Sequence, residues 1–366
     1  MLTGSGSGPV GGASALIFIL TWPDKKHLPN LERRRWKDLD YFGSFLLMAA
    51  AVLIVFSFQN ANSGSSEWSS ALFLAPILFG IFSLASLIAW QFFVEKRWNG
   101  KMAGALPLVL LRNRVYTFGV LNTMCMGFPY FIAIYAFPIR FQVVNGKSPL
   151  GAGVMLLPLI AGAAIGTTLG GVINGKKNRQ FESLACASLL MILGCGLETM
   201  VSSDVAVQAK ELGCMVFIGL GFGLSASVST MLAGFESPIY EVASGQAILS
   251  QSRIIGGSIG IAASSAILGT KTRSELTGVV SPAQLADLAH SALTPEQYAA
   301  VRVAYTDAFR EDMIVCCGVL VLGFLFALGI YRKNRLSMEE VVRQRYIVER
   351  ARREAARESD GNPEAS

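Results

Sequence analysis

An uncharged stretch of 26 residues, from Pro149 to Asn174, constrains this chain more than any other feature. At ~1.5 Å per residue, an α-helix of this length crosses the ~30 Å hydrocarbon core of a bilayer. The stretch carries six glycines, and Gly166 and Gly170 form a GxxxG pair that lets a neighbouring helix backbone approach closely. We therefore predict a membrane-spanning helix that packs on protein more than on lipid.

The composition of the whole chain is that of a multi-spanning membrane protein. Hydrophobic residues make up 52% of its 366 residues and charged residues only 15%, whereas a soluble domain has about a quarter charged. The formal charge of +6 comes from basic residues between apolar runs, so it indicates a membrane protein and not a nucleic-acid partner. Because the sequence has no histidine cluster, no metal-ligand cysteine spacing and no paired carboxylates on any span, we predict no enzyme, no metal and no cofactor.

Hydrophobic runs predict an all-α, polytopic transmembrane helix bundle with nine crossings. The first, residues 1–22, is short and glycine-rich. The other eight cover residues 41–58, 71–94, 115–138, 149–174, 183–203, 213–235, 242–269 and 313–331.

Two polar segments carry helix-start signals. In the segment 270–312, predicted to be an outer loop, Ser281 and Thr294 each precede a proline and would begin two short helices of an ordered cap. In the charged tail 336–366, Ser337 and Glu340 form a capping-box pattern that predicts a surface helix.

Lysine and arginine are distributed asymmetrically between these spans. Of the 31 basic residues, 23 lie in segments 23–40, 95–114, 175–182 and the tail after 331. The positive-inside rule places those segments in the cytosol. The sequence therefore predicts a cytosolic C-terminus and an N-terminus on the opposite side.

Two charged residues fall inside predicted spans, where an ionisable group costs ~2.5 to 3.5 kcal/mol even on a lenient scale. Arg253 either faces the bundle interior as a substrate or gating contact, or snorkels to the inner interface and pairs with Glu241 or a helix end. Glu198 is either a protonatable coupling or substrate group, or is exposed at the outer interface.

Uncharged polar residues and glycines mark further positions on the spans. The polar side chains either line a cavity or hydrogen-bond between helices; they are Asn122, Tyr130, Tyr135, Gln246 and Gln251. The glycine groups predict close-packing faces; they are Gly219, Gly221 and Gly223, and Gly256, Gly257 and Gly260.

Four passages resemble the major facilitator superfamily, specifically its fourteen-spanner drug:proton antiporter branch common in fungi. They are RFQVVNGKSPLGAGVMLLP (140–158), LDYFG (39–43), LPLVLLRNR (106–114) and SRIIGGSIGIA (252–262). In the last passage, Arg253 and the double glycine stand at the matching positions.

The resemblance implies a secondary transporter of two six-helix halves that rock around a midplane site, with two extra helices between the halves. Segment 23–114 would hold a cytoplasmic loop, the two inserted helices and an inner loop. Residues 115–335 would be the C-terminal half, and 336–366 a cytoplasmic tail. Lys176, Lys177 and Arg179 would form a cytoplasmic gating loop.

The N-terminal segment resembles a different part of the same family. Gly8, Pro9, Gly11 and Gly12 match the GPxxGG antiporter motif of the fifth helix, and residues 13–22 then resemble the end of the sixth. Segment 1–22 is thus expected to be a junction of two helices, in a chain that lacks the first four helices and their proton-coupling residues. A two-state carrier needs both halves, so the chain is expected to be a truncated copy or to pair with a second half or another copy.

The resemblance implies export of small molecules such as drugs or toxins by proton antiport, in a plasma or vacuolar membrane. The expected partners are membrane lipid, the substrate and protons. The alternative is a non-transporting scaffold or half-transporter subunit that binds a partner through an exposed bundle face.

Overall fold

The computed structural model describes residues 7–21, 40–60, 70–98, 108–176, 178–237, 241–279, 294–333 and six positions of the tail. These residues contain eleven helices and no strand. The helices are α1 (Ser7–Thr21), α2 (Tyr41–Asn60), α3 (Ala71–Trp98), α4 (Leu108–Arg112), α5 (Arg114–Val143), α6 (Pro149–Val154), α7 (Leu157–Lys176), α8 (Gln180–Glu198), α9 (Ala209–Glu236), α10 (Val242–Leu276) and α11 (Pro295–Gly329). Helix α1 belongs to a unit of its own, residues 1–39, and the bundle described below belongs to residues 40–366.

Eight helical segments of the described residues are long and apolar enough to cross a membrane, with α6 and α7 together forming one of them. This confirms the predicted all-α polytopic bundle, and the spans Tyr41–Phe58 and Ala71–Val94 have the predicted bounds. The first predicted crossing contains a shorter apolar helix, Gly12–Thr21. All 15 residues of α1 reach about 22 Å, less than the ~30 Å hydrocarbon core.

The prediction of an outer loop over 270–312 was wrong at both ends. Helix α10 continues to Leu276, and α11 begins at Pro295, so each has 35 residues. Thr294 does form a capping box with Gln297, but the helix that it starts is the last span itself and not a short cap helix. At ~1.5 Å per residue both helices extend well beyond a bilayer core. Ser281 and Ser337 lie outside the described residues, while tail positions 340, 343, 344, 347, 348 and 351 are helical.

The glycine-rich span is two helices in place of the single predicted one. Helix α6 ends at Val154, and a turn at Met155 and Leu156 precedes α7. Pro158, in the first turn of α7, has no N–H to donate to the carbonyl of Val154, and its ring crowds that carbonyl. A proline at this spacing therefore breaks the helix while leaving it one membrane span.

Glycines bring the backbones of α7 and α9 into direct contact from both sides. A Cβ added to Gly162 would lie 2.7 Å from the carbonyl oxygen of Val216, and one on Gly166 would overlap the carbonyl oxygen of Leu220. In return, Gly219 and Gly223 of α9 face the backbone of α7. The predicted close packing through the GxxxG pair is thus confirmed.

A second backbone contact joins α5 to α10. Gly256 and Gly260 of α10 lie against the carbonyl oxygens of Met124 and Phe128, and Gly127 of α5 lies against that of Arg253. No side chain fits between these two helices, so their relative position is fixed at this level of the bundle.

Much of the glycine-rich helix is uncovered within this bundle, and its packing on protein more than on lipid stays a prediction. Only 22% of the most apolar 18-residue window of Pro149–Gly175 is buried, against 61% of that of Arg114–Val143. The glycines occupy one stripe, and the opposite face carries large apolar side chains such as Ile165 and Val172, which are 54% and 72% exposed. Small residues therefore set how closely α7 approaches α9, but not how much of its surface is covered.

Helices α2 and α3 form a hairpin that packs on α10. Buried Asp40 caps α2 by accepting from the backbone N–H of Gly43 at 2.7 Å, and it also accepts from Trp90 Nε1 at 2.9 Å and Gln91 Nε2 at 2.6 Å. Leu87 of α3 and Ile248 of α10 share an apolar cluster. The carboxylate of the LDYFG passage thus fastens the hairpin at one end.

We expect Gly166→Ala to destabilise the bundle, because its methyl group would overlap backbone atoms of α9 that cannot rotate away. Overpacking of this kind costs about 1–3 kcal/mol. Gly171→Ala on the same helix is the matched control, since its nearest foreign atom, Ser227 Oγ, is 3.9 Å away. Melting of the purified protein in detergent should fall for the first variant only, and equal melting of both would contradict the contact.

Candidate functional site

Arg253 of α10 lies within the bundle and carries its charge without a described ion-pair partner. Its Nη2 donates to Ser229 Oγ of α9 at 2.7 Å, and its guanidinium carbon lies 5.7 Å from the centroid of the Phe222 ring. No carboxylate of the described residues forms an ion pair with it. The expected pairing with Glu241 is therefore not formed, and the half-buried side chain reaches across to α9.

Aromatic rings continue this site toward α5. The rings of Tyr130 and Phe222 stack with centroids 3.4 Å apart and an interplanar angle of 1°. Both rings are half-buried. The close approach of Gly127 to the Arg253 carbonyl holds α5 and α10 together just beside them. We name Tyr130, Phe222, Ser229 and Arg253 the Arg253 cluster.

Three of the other predicted polar residues form hydrogen bonds between helices. Asn122 Nδ2 donates to the Gly323 carbonyl of α11 at 2.8 Å, Tyr135 accepts from Ser265 at 3.1 Å, and Gln246 donates to Thr230 at 3.3 Å. Gln251 is half-buried, and its Oε1 accepts no hydrogen bond from the described residues. All three therefore join helices, and Tyr135 also lines a small pocket.

A second group of charges lies where α5 and α8 end and α9 begins. Arg140 and Glu211 form an ion pair at 2.6 Å, and each side chain is only 2% exposed. Arg140 Nη2 also donates to the carbonyl of Ser202 at 2.9 Å. Glu198 is near enough to interact with both charges and is fully buried. We name Arg140, Glu198 and Glu211 the Arg140 cluster.

Glu198 is the unbonded member of that cluster. It is the last residue of α8 and has no exposed surface, so the alternative of exposure at the outer interface was wrong. Neither of its carboxylate oxygens has a hydrogen-bond partner among the described residues. A buried carboxylate without donors is costly when ionised.

Asp312 extends this polar region to α10 and α11. It is 3% exposed and accepts from Ser264 at 2.5 Å, while its Oδ1 has no described partner. A small pocket opens between Tyr135, Arg140, Asp312 and Tyr305. The sequence placed Asp312 in a loop and Arg140 just beyond a span, so neither was recognised as a buried charge.

A separate polar network joins helix ends at the opposite end of the bundle. Glu236 of α9 accepts from Asn113 at 2.5 Å and from Arg332 at 3.2 Å, and Arg332 also donates to Asn113. The LPLVLLRNR passage supplies Asn113, which caps α5. The network thereby ties the ends of α5, α9 and α11 together.

The remaining predicted site residues lie away from these clusters. Arg179 is exposed between α7 and α8, and the side chains of Lys176 and Lys177 are outside the described part of the chain. The antiporter-like residues Gly8, Pro9, Gly11 and Gly12 lie in α1. Within the described ranges, no group of three or more His, Cys, Asp or Glu could hold a metal ion.

Comparison with known proteins gives the chain its relatives, although no family profile matches it. It is 28% identical over 323 residues to the MFS-type transporter FPY5 of Fusarium mangiferae, covering 84% of this chain and 54% of the relative. It is 26% identical over 345 residues to the rubrofusarin-specific efflux pump aurT of Gibberella zeae, covering 91% and 61%. The solved structure of a bacterial homologue of the human lysosomal transporter Spinster superposes with a TM-score of 0.45 at 18% identity, over 81% of this chain and 68% of that one.

The eight spans define an integral, multi-pass membrane protein built only of helices in its described part. Within that class, the chain is a homologue of fungal transporters of the major facilitator superfamily, which confirms the resemblance found in its motifs. These relatives are transporters and not enzymes. The chain spans little more than half the length of the curated relatives that it matches.

Removing one partner of the Arg140–Glu211 pair should be more damaging than removing both. Arg140→Met leaves the buried carboxylates without their cation, a change that costs about 3–5 kcal/mol. Replacing both residues by methionine also removes the Glu211 carboxylate, so Glu198 is the one acid left in the cluster. Melting of the two single variants and the double variant in detergent should give a double variant more stable than Arg140→Met, and strictly additive losses would contradict the pairing.

Proposed function

We propose that this chain is a transporting unit of a secondary carrier that exports small organic molecules. The observation that carries this proposal is Arg253: a half-buried cation inside an apolar bundle, held by Ser229 and flanked by stacked rings. A charged side chain at this depth costs free energy, and such residues typically mark a ligand site or an ion pathway. The relatives named as transporters and efflux pumps support the same conclusion.

Helices α5 to α11 would form one six-span half of the carrier, with the Arg253 cluster on α5, α9 and α10 facing the substrate path. The α2–α3 hairpin would be the pair inserted between the halves. A cavity closed on all sides needs a second bundle, supplied by further sequence, another subunit or a second copy of this chain. The Asn113–Glu236–Arg332 network would then tie helix ends at the entrance to the path.

The basic segments would place that network, the Arg179 turn and the C-terminus in the cytosol. Export then proceeds away from the cytosol, across a plasma or vacuolar membrane. The Arg140 cluster would lie toward the opposite side of the bilayer.

Proton coupling would use Glu198. Its carboxylate is buried and lacks donors, and the charged or titratable groups around it are Arg140 from α5, Glu211 and Cys214 from α9, and Arg310 from α11, which donates to the Thr199 carbonyl. Arg310 is exposed, and within the buried Arg140 cluster one arginine faces two carboxylates, so a proton on Glu198 balances the charge of the cluster. Uptake of that proton from the outer side and its release to the cytosol, as the substrate moves the opposite way, would drive export.

The transport test uses yeast that expresses this chain and lacks its own efflux pumps. We expect faster export of naphthalene-2-sulfonate or of 2-naphthyltrimethylammonium than in cells without the chain. Arg253→Ala should abolish the increase, whereas Arg273→Ala, at an exposed position of the same helix, should not. Export of neither probe would refute transport by this chain, and unchanged export by Arg253→Ala would remove Arg253 from the mechanism.

The coupling test uses proteoliposomes with an imposed pH gradient. In the Glu198→Gln variant, labelled naphthalene-2-sulfonate should still exchange across the membrane without a gradient. The pH gradient should no longer stimulate this transport, because an amide does not ionise and cannot carry the coupled proton. Glu296→Gln, in the exposed first turn of α11, is the control. Stimulation that survives Glu198→Gln would assign coupling to another group.

The second candidate function is a non-transporting scaffold or half-transporter subunit. Large exposed side chains on the inserted hairpin, such as Phe45 at 66% and Phe82 at 70%, favour it because they offer an apolar face to a partner as well as to lipid. The mass of the complex purified in mild detergent separates the cases. A stable complex with a second polypeptide and no export of either probe would establish the scaffold.

A further inference from the structure

We propose that the Arg253 cluster selects planar aromatic anions, such as aryl sulfonates and carboxylates, as the transported substrates. This inference rests on the proposed function and gives the substrate class of the same site. It is argued from the charge balance, the free donors and the aromatic surface of the cluster.

The charge balance of the site is positive. Arg253 lies about 16 Å along α10 from Val242, and Ser229 lies about 10 Å from the end of α9, so both are well inside the bundle. The cluster contains one guanidinium and no carboxylate, and no described acid pairs with that guanidinium. The buried acids Glu198, Glu211 and Asp312 belong to the other polar region. A bound anion would supply the missing counter-charge.

The donors of Arg253 are mostly unused. Of the five N–H groups that a guanidinium carries, one reaches Ser229, and the described residues accept no other. A planar fork of N–H donors matches two oxygens of a carboxylate or sulfonate. The hydroxyl of Tyr130 also has no hydrogen-bond partner in the described part of the chain. Tyr130 and Arg253 both contact the Phe222 ring.

The aromatic surface sets the shape of the ligand. The half-buried Tyr130 and Phe222 rings stack face to face with centroids 3.4 Å apart, so each covers one face of the other and the outer faces of the stack form the flat apolar surface of the cluster. A planar aromatic group stacks on such a surface, and its acidic substituent then reaches Arg253. An aliphatic anion would bind more weakly because it cannot stack on the rings. An aromatic cation would bind more weakly because Arg253 repels it.

The test compares three naphthalenes of nearly the same shape by calorimetric titration of the full chain in lipid nanodiscs. The probes are anionic naphthalene-2-sulfonate, neutral naphthalene-2-sulfonamide and cationic 2-naphthyltrimethylammonium. We expect the sulfonate to bind most tightly. Arg253→Gln should weaken the sulfonate by about 10- to 100-fold while changing the sulfonamide only slightly, because only the sulfonate forms charge-assisted hydrogen bonds.

Two further variants test the charge and the aromatic surface separately and control for misfolding. Arg273→Gln, exposed on the same helix, should bind the sulfonate as the unaltered chain does. Phe222→Leu should weaken all three probes by a similar factor, because it removes the stacking surface and no charge. Variants are compared only where their melting temperatures match that of the unaltered chain.

The anion preference would be overturned if the cation bound as tightly as the sulfonate or more tightly. It would also be overturned if Arg253→Gln left the affinity for the sulfonate unchanged. Probes that are insensitive to Phe222→Leu would overturn the aromatic one. Either result leaves transport itself intact, since the export test accepts either probe. Sulfonate binding without export would uphold the site while refuting transport by this chain.

Discussion

Backbone contact between glycine-bearing helices is the interaction on which the rest of this bundle depends. Lipid tails are as apolar as leucine, so helices in a membrane gain little from hiding apolar side chains against each other and depend on close packing. Contact through Gly166 with α9 and through Gly256 with α5 satisfies that need. These contacts fix α7 against α9, which carries Phe222, and α5 against α10 beside Tyr130 and Arg253.

Charged side chains inside the bundle differ in whether protein groups pair with them. Arg140 is paired with Glu211, and Asp40 accepts three hydrogen bonds, so both are matched by protein and fasten helices together. Among the described residues, the guanidinium of Arg253 contacts a serine hydroxyl and an aromatic ring and forms no ion pair. Pairing makes a buried charge structural, and incomplete pairing leaves it available to a ligand.

Local patterns in the sequence predicted the spans well. A run of about twenty apolar residues is enough to favour a membrane span, whatever the rest of the fold contributes. They missed what depends on tertiary contact. Arg140 and Glu211 stand at the edges of apolar runs, where the sequence cannot tell a side chain facing lipid headgroups from one facing a partner 71 positions away. The polar sequence of the turns that extend α10 and α11 likewise predicted a loop, although Thr294 correctly predicted the start of a helix. Pro158 carried the one local signal that was overlooked.

The central claim is that Arg253 faces an aqueous path inside the bundle and not the lipid. Labelling of Arg253→Cys by the membrane-impermeant anion 2-sulfonatoethyl methanethiosulfonate, with the six native cysteines replaced by alanine, tests it directly. In lipid nanodiscs, where the reagent reaches both membrane faces, our account predicts labelling of Arg253→Cys and of exposed Arg179→Cys, and none of Ile165→Cys on the outward face of α7. An unlabelled Arg253→Cys beside a labelled Arg179→Cys would contradict it.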